Sequence, residues 1–255
     1  MASVDIGNDQ PDISYINSMD QTVDFLQIKR GNPHLDNTKL YVVGIAYKAQ
    51  LNRLNFQILG VYQKIQNNIS TDYYLENDKL VSSFRSDMDV EHWNAALDLS
   101  YRFSDNLRAK FNARYYHTII PGEYNITDNS VIASSDINYY WKNLAINVYG
   151  STATSRINRF SLAIEKNPAI YGTSISWSHK GWHVETGTEN PFTKHNRYRE
   201  YANFSIYNYS QIQTSRINQR TGYIKIAYTF DFGQKTSREK SDMDRNINSA
   251  IMKTN

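Results

Sequence analysis

The sequence predicts an all-β protein: a portion of an antiparallel transmembrane β-barrel, with about nine strands in an up-and-down meander and long extracellular loops. Three observations predict it. Apolar and polar residues alternate with period two through most of the chain, which is the spacing of a strand whose successive side chains point to opposite faces. The 255 residues include 20 Tyr, 10 Phe and 4 Trp at a mean hydropathy of −0.63. A membrane barrel combines these two properties because only alternate residues meet lipid, the lumen face is polar, and amphipathic rings collect at both interfaces. Finally, the connections are short and long in turn, as in outer-membrane barrels, which keep short turns in the periplasm and long loops outside.

The strands follow in order. Residues 39–48 are apolar on both faces and give no orientation. Leu54, Phe56, Ile58, Gly60 and Tyr62 alternate with Asn55, Gln57 and Gln63, although Leu59 and Val61 make the second face less polar. The clearest segment places Trp93, Ala95, Leu97, Leu99, Tyr101 and Phe103 on one face and His92, Asn94, Ala96, Asp98, Ser100 and Arg102 on the other. Its run of aromatic, aliphatic, aromatic suggests girdle, hydrocarbon, girdle. After Ser104-Asp105-Asn106, the residues Leu107, Ala109, Phe111, Ala113 and Tyr115 oppose Arg108, Lys110, Asn112 and Arg114. Ile137, Tyr139 and Trp141 lead through Lys142-Asn143 into Leu144, Ile146 and Val148. Tyr171, Thr173, Ile175 and Trp177 turn at His179-Lys180-Gly181 into Trp182, Val184 and Thr186. The last segment sets Gly222, Ile224, Ile226, Tyr228, Phe230 and Phe232 against Tyr223, Lys225, Ala227, Thr229 and Asp231.

Short turns near 49–52, 104–106, 142–143 and 178–181 alternate with long connections near 65–89, 117–132, 152–168 and 190–215. With the short turns in the periplasm, the first and last strands both descend. Counting residues 202–212 as a tenth crossing would leave the chain end outside, so that segment is assigned to the extension of a long hairpin. Single-chain bacterial barrels have even strand counts, so nine strands are expected to be the C-terminal wall of a larger barrel. Such a wall should be open, with 39–48 unpaired to 222–232. The start MASVDIGNDQPDIS has neither a basic segment nor an apolar one, and the chain is accordingly read as a fragment. The expected divisions are a loop segment over 1–37, barrel strands over 38–233 and a tail over 234–255.

Other classes find little support. No run approaches the roughly 18 apolar residues of a spanning helix. The 28 Lys+Arg against 25 Asp+Glu are dispersed, leaving no nucleic-acid footprint. With no cysteine, disulfides, thiolate metal sites and thiol nucleophiles are excluded. His179 and His183 form the nearest histidine pair, but no third ligand accompanies them. Asp87, Asp89 and Glu91 lack the glycine and spacing of a calcium loop and read as a solvated loop edge. Glu165, Glu185 and Glu189 could be imagined as glycosidase carboxylates, yet alternation puts Glu185 and Glu189 on the wet face beside His183. Asn68, Asn125, Asn203 and Asn208 head Asn-X-Ser/Thr triplets of the kind expected by chance in a chain rich in Asn and Ser. The aromatic stretches Tyr73-Tyr74 and Tyr198 to Tyr209 could stack on a ligand, but interface anchoring or loop packing is the stronger reading. No catalytic, metal-binding or cofactor-binding residue is assigned, no cofactor is expected, and substrate-binding residues are not identified.

The segment Gly31-Asn32-Pro33-His34-Leu35, with Pro11, Ile13, Tyr15 and Ile16 some twenty positions before it, resembles the GNPxL element of TonB-dependent receptor barrels of the starch-utilisation and related types. Tyr228-Thr229-Phe230-Asp231-Phe232-Gly233-Gln234-Lys235 resembles that family's terminal strand, and Ser249-Ala250-Ile251-Met252-Lys253 its usual ending. Asn190-Pro191-Phe192 is a further familiar element. The resemblance runs from about residue 11 to 253, without a TonB box, a plug or the first half of a barrel. It implies a non-enzymatic receptor of the Gram-negative outer membrane that imports a nutrient ligand, contacting TonB only through a plug and pairing with a surface lipoprotein. Transport by this stretch alone, without plug and N-terminal strands, is not expected. Two alternatives stay open: an autonomous small outer-membrane barrel (porin or adhesin) and a soluble all-β lectin-like module.

Overall fold

The computed structural model describes residues 1–123, 125–204, 206, 208–216 and 219–230. In chain order its elements are β1 (Ala2–Asp9), α1 (Ile13–Ile16), β2 (Gln21–Thr22), β3 (Gln27–Lys29), β4 (Thr38–Leu51), β5 (Leu54–Glu76), β6 (Lys79–Arg102), β7 (Leu107–Ile120), β8 (Ile126–Trp141), β9 (Leu144–Ser151), β10 (Thr154–Ile157), β11 (Ile164–Asn167), β12 (Ile170–His179), β13 (Trp182–Glu189), β14 (Asn196–Asn203), β15 (Asn208–Ser215) and β16 (Thr221–Tyr228).

The main sheet runs β1-β4-β5-β6-β7-β8-β9-β12-β13-β16, with β2 and β3 at its side, and each strand on this path is antiparallel to its neighbours. All nine expected strands are present in their expected order. The sheet does not close: among the described residues β1 and β16 are its two edges. A second sheet, β10-β11-β14-β15, is built from the connections.

Several expectations need correction. The sheet has a tenth strand, and it comes from the start of the chain: residues 2–9, assigned to a loop segment, pair with β4 from Ala2–Ile45 to Asp9–Thr38. Val4 and Ile6 alternate there with charged or polar neighbours, a run too short to stand out without its partner. Residues 65–89 are a hairpin rather than a loop, because β5 and β6 continue past a register shift at Asn68 to a tight turn at Asn77-Asp78. Both turn residues have positive φ, 50° and 61°, the geometry of a two-residue hairpin turn, which Asn and Asp tolerate well. Parts of 152–168 and 190–215 form β10, β11, β14 and β15. Most of residues 202–212 thus lies in the β14–β15 hairpin, outside the main sheet, as the turn parity requires. Phe232, Gly233 to Lys235 and the tail 234–255 with its Ser249 to Lys253 ending lie outside the described residues.

The GNPHL segment is held at close quarters. Gly31 donates to Asn17 O at 2.9 Å and Asn32 to Tyr15 O at 2.6 Å. A Cβ on Gly31 would sit 2.4 Å from Asn17 O, so only glycine fits. The Asn32 side chain caps the contact by donating to Phe84 O at 2.9 Å, while the Tyr15 ring packs on Phe84 and Phe160 at 4.6 and 5.4 Å. Proline-flanked α1 and the GNP element are therefore one contact seen from both sides. Asn190 plays a similar part after β13. Fully buried, with φ 46°, it exchanges bonds with the Tyr171 backbone through its own N–H at 2.7 Å and its side chain at 2.9 Å.

Burial divides the molecule. Where the long connections meet the sheet, Ile65, Met88, Val90 and Ile120 pack against Ala202 of the second sheet and against Leu162, Ala163 and Phe204 beside it, forming an apolar core. Toward the short turns the arrangement reverses, and the large apolar side chains are the exposed ones.

Candidate functional site

Strand register gives the exposed apolar surface its shape. Residues paired across neighbouring strands share a face, so the rows Val4–Val43–Tyr62–Trp93, Tyr47–Ile58–Leu97–Ala113 and Leu51–Leu54–Tyr101–Ala109–Ile137–Val148 all lie on one side. The row Trp141–Leu144–Trp177–Val184–Ile226 continues that side to the last strand. Ile58, Trp93, Trp141, Trp182 and Ile226 are all highly exposed. An exposed apolar face of this extent marks a surface that meets another protein, a ligand or a membrane. Many of its aromatics fall in two groups, with Tyr47, Phe56 and Phe111 between them. One is the Tyr62–Trp93 pair at 4.3 Å. The other, nearer the short turns, includes Tyr101–Phe103 at 4.7 Å and Trp182–Tyr228 at 4.7 Å, with Lys142 Nζ 5.6 Å from the Trp141 ring.

The opposite face is polar and internally bonded. Lys48, Gln57, Asp98, Asn112 and Ser134 form one row, and Ser100, Lys110 and Asp136 belong to the next. Asn147 donates to Asp136 Oδ2 at 2.9 Å and to Asn138 Oδ1 at 3.0 Å, and Asn138 donates to Asp136. Tyr223 donates to Glu185 at 2.6 Å, and Lys225 lies 3.0 Å from the same carboxylate oxygen. Tyrosines also fill the space over glycines here. A Cβ on Gly172 would meet Tyr149 Oη at 2.6 Å and Thr188 O at 2.3 Å, and one on Gly187 would meet Tyr223 Cζ at 2.6 Å.

The residues weighed from sequence separate in space. His179 pairs with Trp182 on the apolar face, where its ring meets Asn143 at 3.1 Å, whereas His183 pairs with Ser178 on the polar face. Among the described residues, no group of three or more His, Cys, Asp or Glu is placed to hold a metal ion. Glu185 accepts from Tyr223 and Lys225 through one oxygen and has His183 Nε2 3.8 Å from the other, Glu189 lies on the same face of β13, and Glu165 accepts from Asn158 near the second sheet at 2.9 Å. Asp87 belongs to a charge cluster centred on Arg85, which bonds it at 2.6 Å and Glu123 at 2.7 Å, with Asp72 at 3.8 Å. The hydrogen bond from Arg85 holds the Asp87 carboxyl below the usual carboxylate range. Burial pushes Asp72 up. Asp89 stands 3.8 Å from Lys64, and Glu91 lies opposite Lys64 in the ladder. Tyr73 packs on Phe204 at 4.8 Å and Tyr201 on Lys166 and Arg199 at 5.3 and 4.9 Å, so these two aromatics serve packing within the second sheet and its contact.

One constellation was not legible in the sequence. On the polar face, near the long connections, His92, Tyr116, Thr118 and Asp128 meet Arg156 and Ile157 of β10 and Arg159 just after it around a cavity of about 300 Å³, floored by Ile65 and Val90. Some ninety residues of chain separate its members, and the period-two pattern marks only the wall positions as facing inward. The arginines sit in a connection that carries no such mark.

The fold is similar to that of the copper transporter OprC, with a TM-score of 0.67 at 13% sequence identity, over 90% of this chain and 38% of that one. The chain thus spans less than two-fifths of that transporter's length. No protein-family model and no curated protein matches the sequence.

Proposed function

We propose that the chain is a section of the wall of a Gram-negative outer-membrane transporter barrel of the TonB-dependent type, serving import of a nutrient ligand rather than catalysis. One observation carries this reading: over ten adjoining strands the apolar side chains share one face and the polar side chains the other, and from β4 onward the apolar face is the more exposed of the two. That is the distribution demanded by lipid outside and water inside. The aromatic groups toward both margins and the likeness to a transporter fold support it, as do two edges open among the described residues, whose unpaired N–H and C=O groups would each cost several kcal/mol in lipid. Further strands would complete the ring and a plug would fill it. On this reading TonB acts only through the plug, a surface lipoprotein caps the outer side, and this section does not transport by itself. OprC's copper is not extended to this chain, in whose described residues no three or more His, Cys, Asp or Glu are grouped to hold a metal ion.

The test is topological. Single cysteines replace Asp78, Asp105 and Asn143 in the complete barrel; the chain has no cysteine of its own to interfere. An impermeant maleimide on intact cells should label position 78 and spare 105 and 143 until the outer membrane is opened. Labelling of 105 and 143 on intact cells, or recovery of the protein in buffer without detergent, would overturn the proposal.

A further inference from the structure

The cavity beneath the second sheet has the composition of a ligand site. Its walls come from the polar face (Gln63, His92, Tyr116, Thr118) and its roof from β10 and the residues after it. Arg156 lies over the Tyr116 ring, 4.6 Å from its centroid, and donates to the Tyr116 hydroxyl at 3.2 Å. Neither Arg156 nor Arg159 forms an ion pair among the described residues. Arg30 and Arg85, by contrast, each hold two carboxylates within 3 Å. The His92 ring stacks on Tyr116 at 5.6 Å and spends Nδ1 on Thr118 Oγ1 at 2.8 Å. Its Nε2 has no protein partner among the described residues. Asp128 is the one acidic side chain in the lining, and its carboxylate is turned to the Ile157 backbone N–H.

Two guanidiniums outside any ion pair, with Glu165 opposite Arg156 in the ladder but bonded to Asn158, an imidazole nitrogen and a tyrosine ring around an apolar floor match one kind of molecule. Guanidinium donors fit a carboxylate bidentately, the ring and the Ile65, Val90 and Ile157 side chains fit a flat or apolar body, and the volume lies at the small end of ligand pockets. We propose that this cavity binds a small organic carboxylate with an aromatic or apolar body, its charge on Arg156 and Arg159 and its body against Tyr116, Ile65 and Val90. The proposal rests on reading the polar face as a barrel lumen, and it names the chemical class of what that lumen admits.

The full chain in detergent micelles is titrated with 4-(trifluoromethyl)benzoate and, separately, with the neutral 4-(trifluoromethyl)benzamide, followed by 19F line broadening. The benzoate should bind about tenfold or more tightly than the amide, as expected for charge-assisted bonds. Arg156→Gln with Arg159→Gln should remove that preference, and Arg156→Lys with Arg159→Lys, which keeps the charge, should retain part of it. Equal binding of benzoate and benzamide, or an unchanged benzoate affinity in the glutamine double variant, would overturn the site. The two readings fail separately: a membrane-embedded chain that does not distinguish the probes refutes the pocket, and a chain that distinguishes them but stays in buffer refutes the barrel.

Discussion

Placing arginine at two adjacent positions of β5 tests the two-faced wall directly. Ile58 is 50% exposed on the apolar face and pairs with Tyr47 and Leu97, while Gln57 is on the polar face between Lys48 and Asp98. Leu97 marks the depth. Trp93 and Tyr101 lie four residues to either side of it on β6, about 13 Å each way at about 3.3 Å per residue. Ile58 therefore sits midway between the two aromatic groups, where arginine costs about 2–4 kcal/mol, or about thirtyfold or more in the folded population. At Gln57 the same side chain meets Asp98 on one side and Lys48 on the other, a nearly neutral exchange. Leu97→Arg should behave like Ile58→Arg. Ala96, its neighbour, is a poorer control, being 5% exposed between Leu59 and Arg114, where a new cation meets both crowding and like charge. The assay is denaturant titration of the complete barrel in lipid vesicles, with heat-modifiable gel migration reporting the folded fraction. Equal destabilisation by Ile58→Arg and Gln57→Arg would refute the assignment of lipid and water to the two faces.

Two further outcomes follow from the geometry. In the Arg85 cluster, Asp72→Asn should leave the β5–β6 hairpin as resistant to protease at pH 7 or more so, because burial disfavours the Asp72 charge, whereas Asp87→Asn should make it more susceptible. The Asp87 contribution, from a depressed carboxyl, is present above its unfolded pKa of about 4 and fades as pH falls through the lower folded value; the Asp72 penalty is relieved over the acid range. Nicking near Asn77 at pH 7 and pH 4 would show whether the two substitutions act in opposite directions at neutral pH. Gly172→Ala should cost about 1–3 kcal/mol, because the new methyl meets the Thr188 carbonyl as well as the Tyr149 ring, and the same denaturant titration measures it; an unchanged midpoint would show that the strands part easily there.

The sequence by itself determined the class of fold, the order of nine strands and the side of each strand that carries apolar groups. These follow from a local rule: in a strand, neighbouring side chains face opposite ways, so Trp93 to Phe103 declare their faces without any partner. It also located the short turns and the pieces that came together as α1 and the GNPHL segment. What it could not determine depends on pairing over distance. Residues 2–9 are a strand because β4 offers them an edge, and residues 65–89 continue as a hairpin because Asn77 and Asp78 close it and the second sheet covers it. Arg156, Arg159, His92 and Tyr116 form a cavity only once the second sheet folds over the wall. Tertiary structure alone decided these, because edge pairing, apolar cover and the convergence of unpaired charges are properties of neighbours in space, and no periodicity within one segment records them.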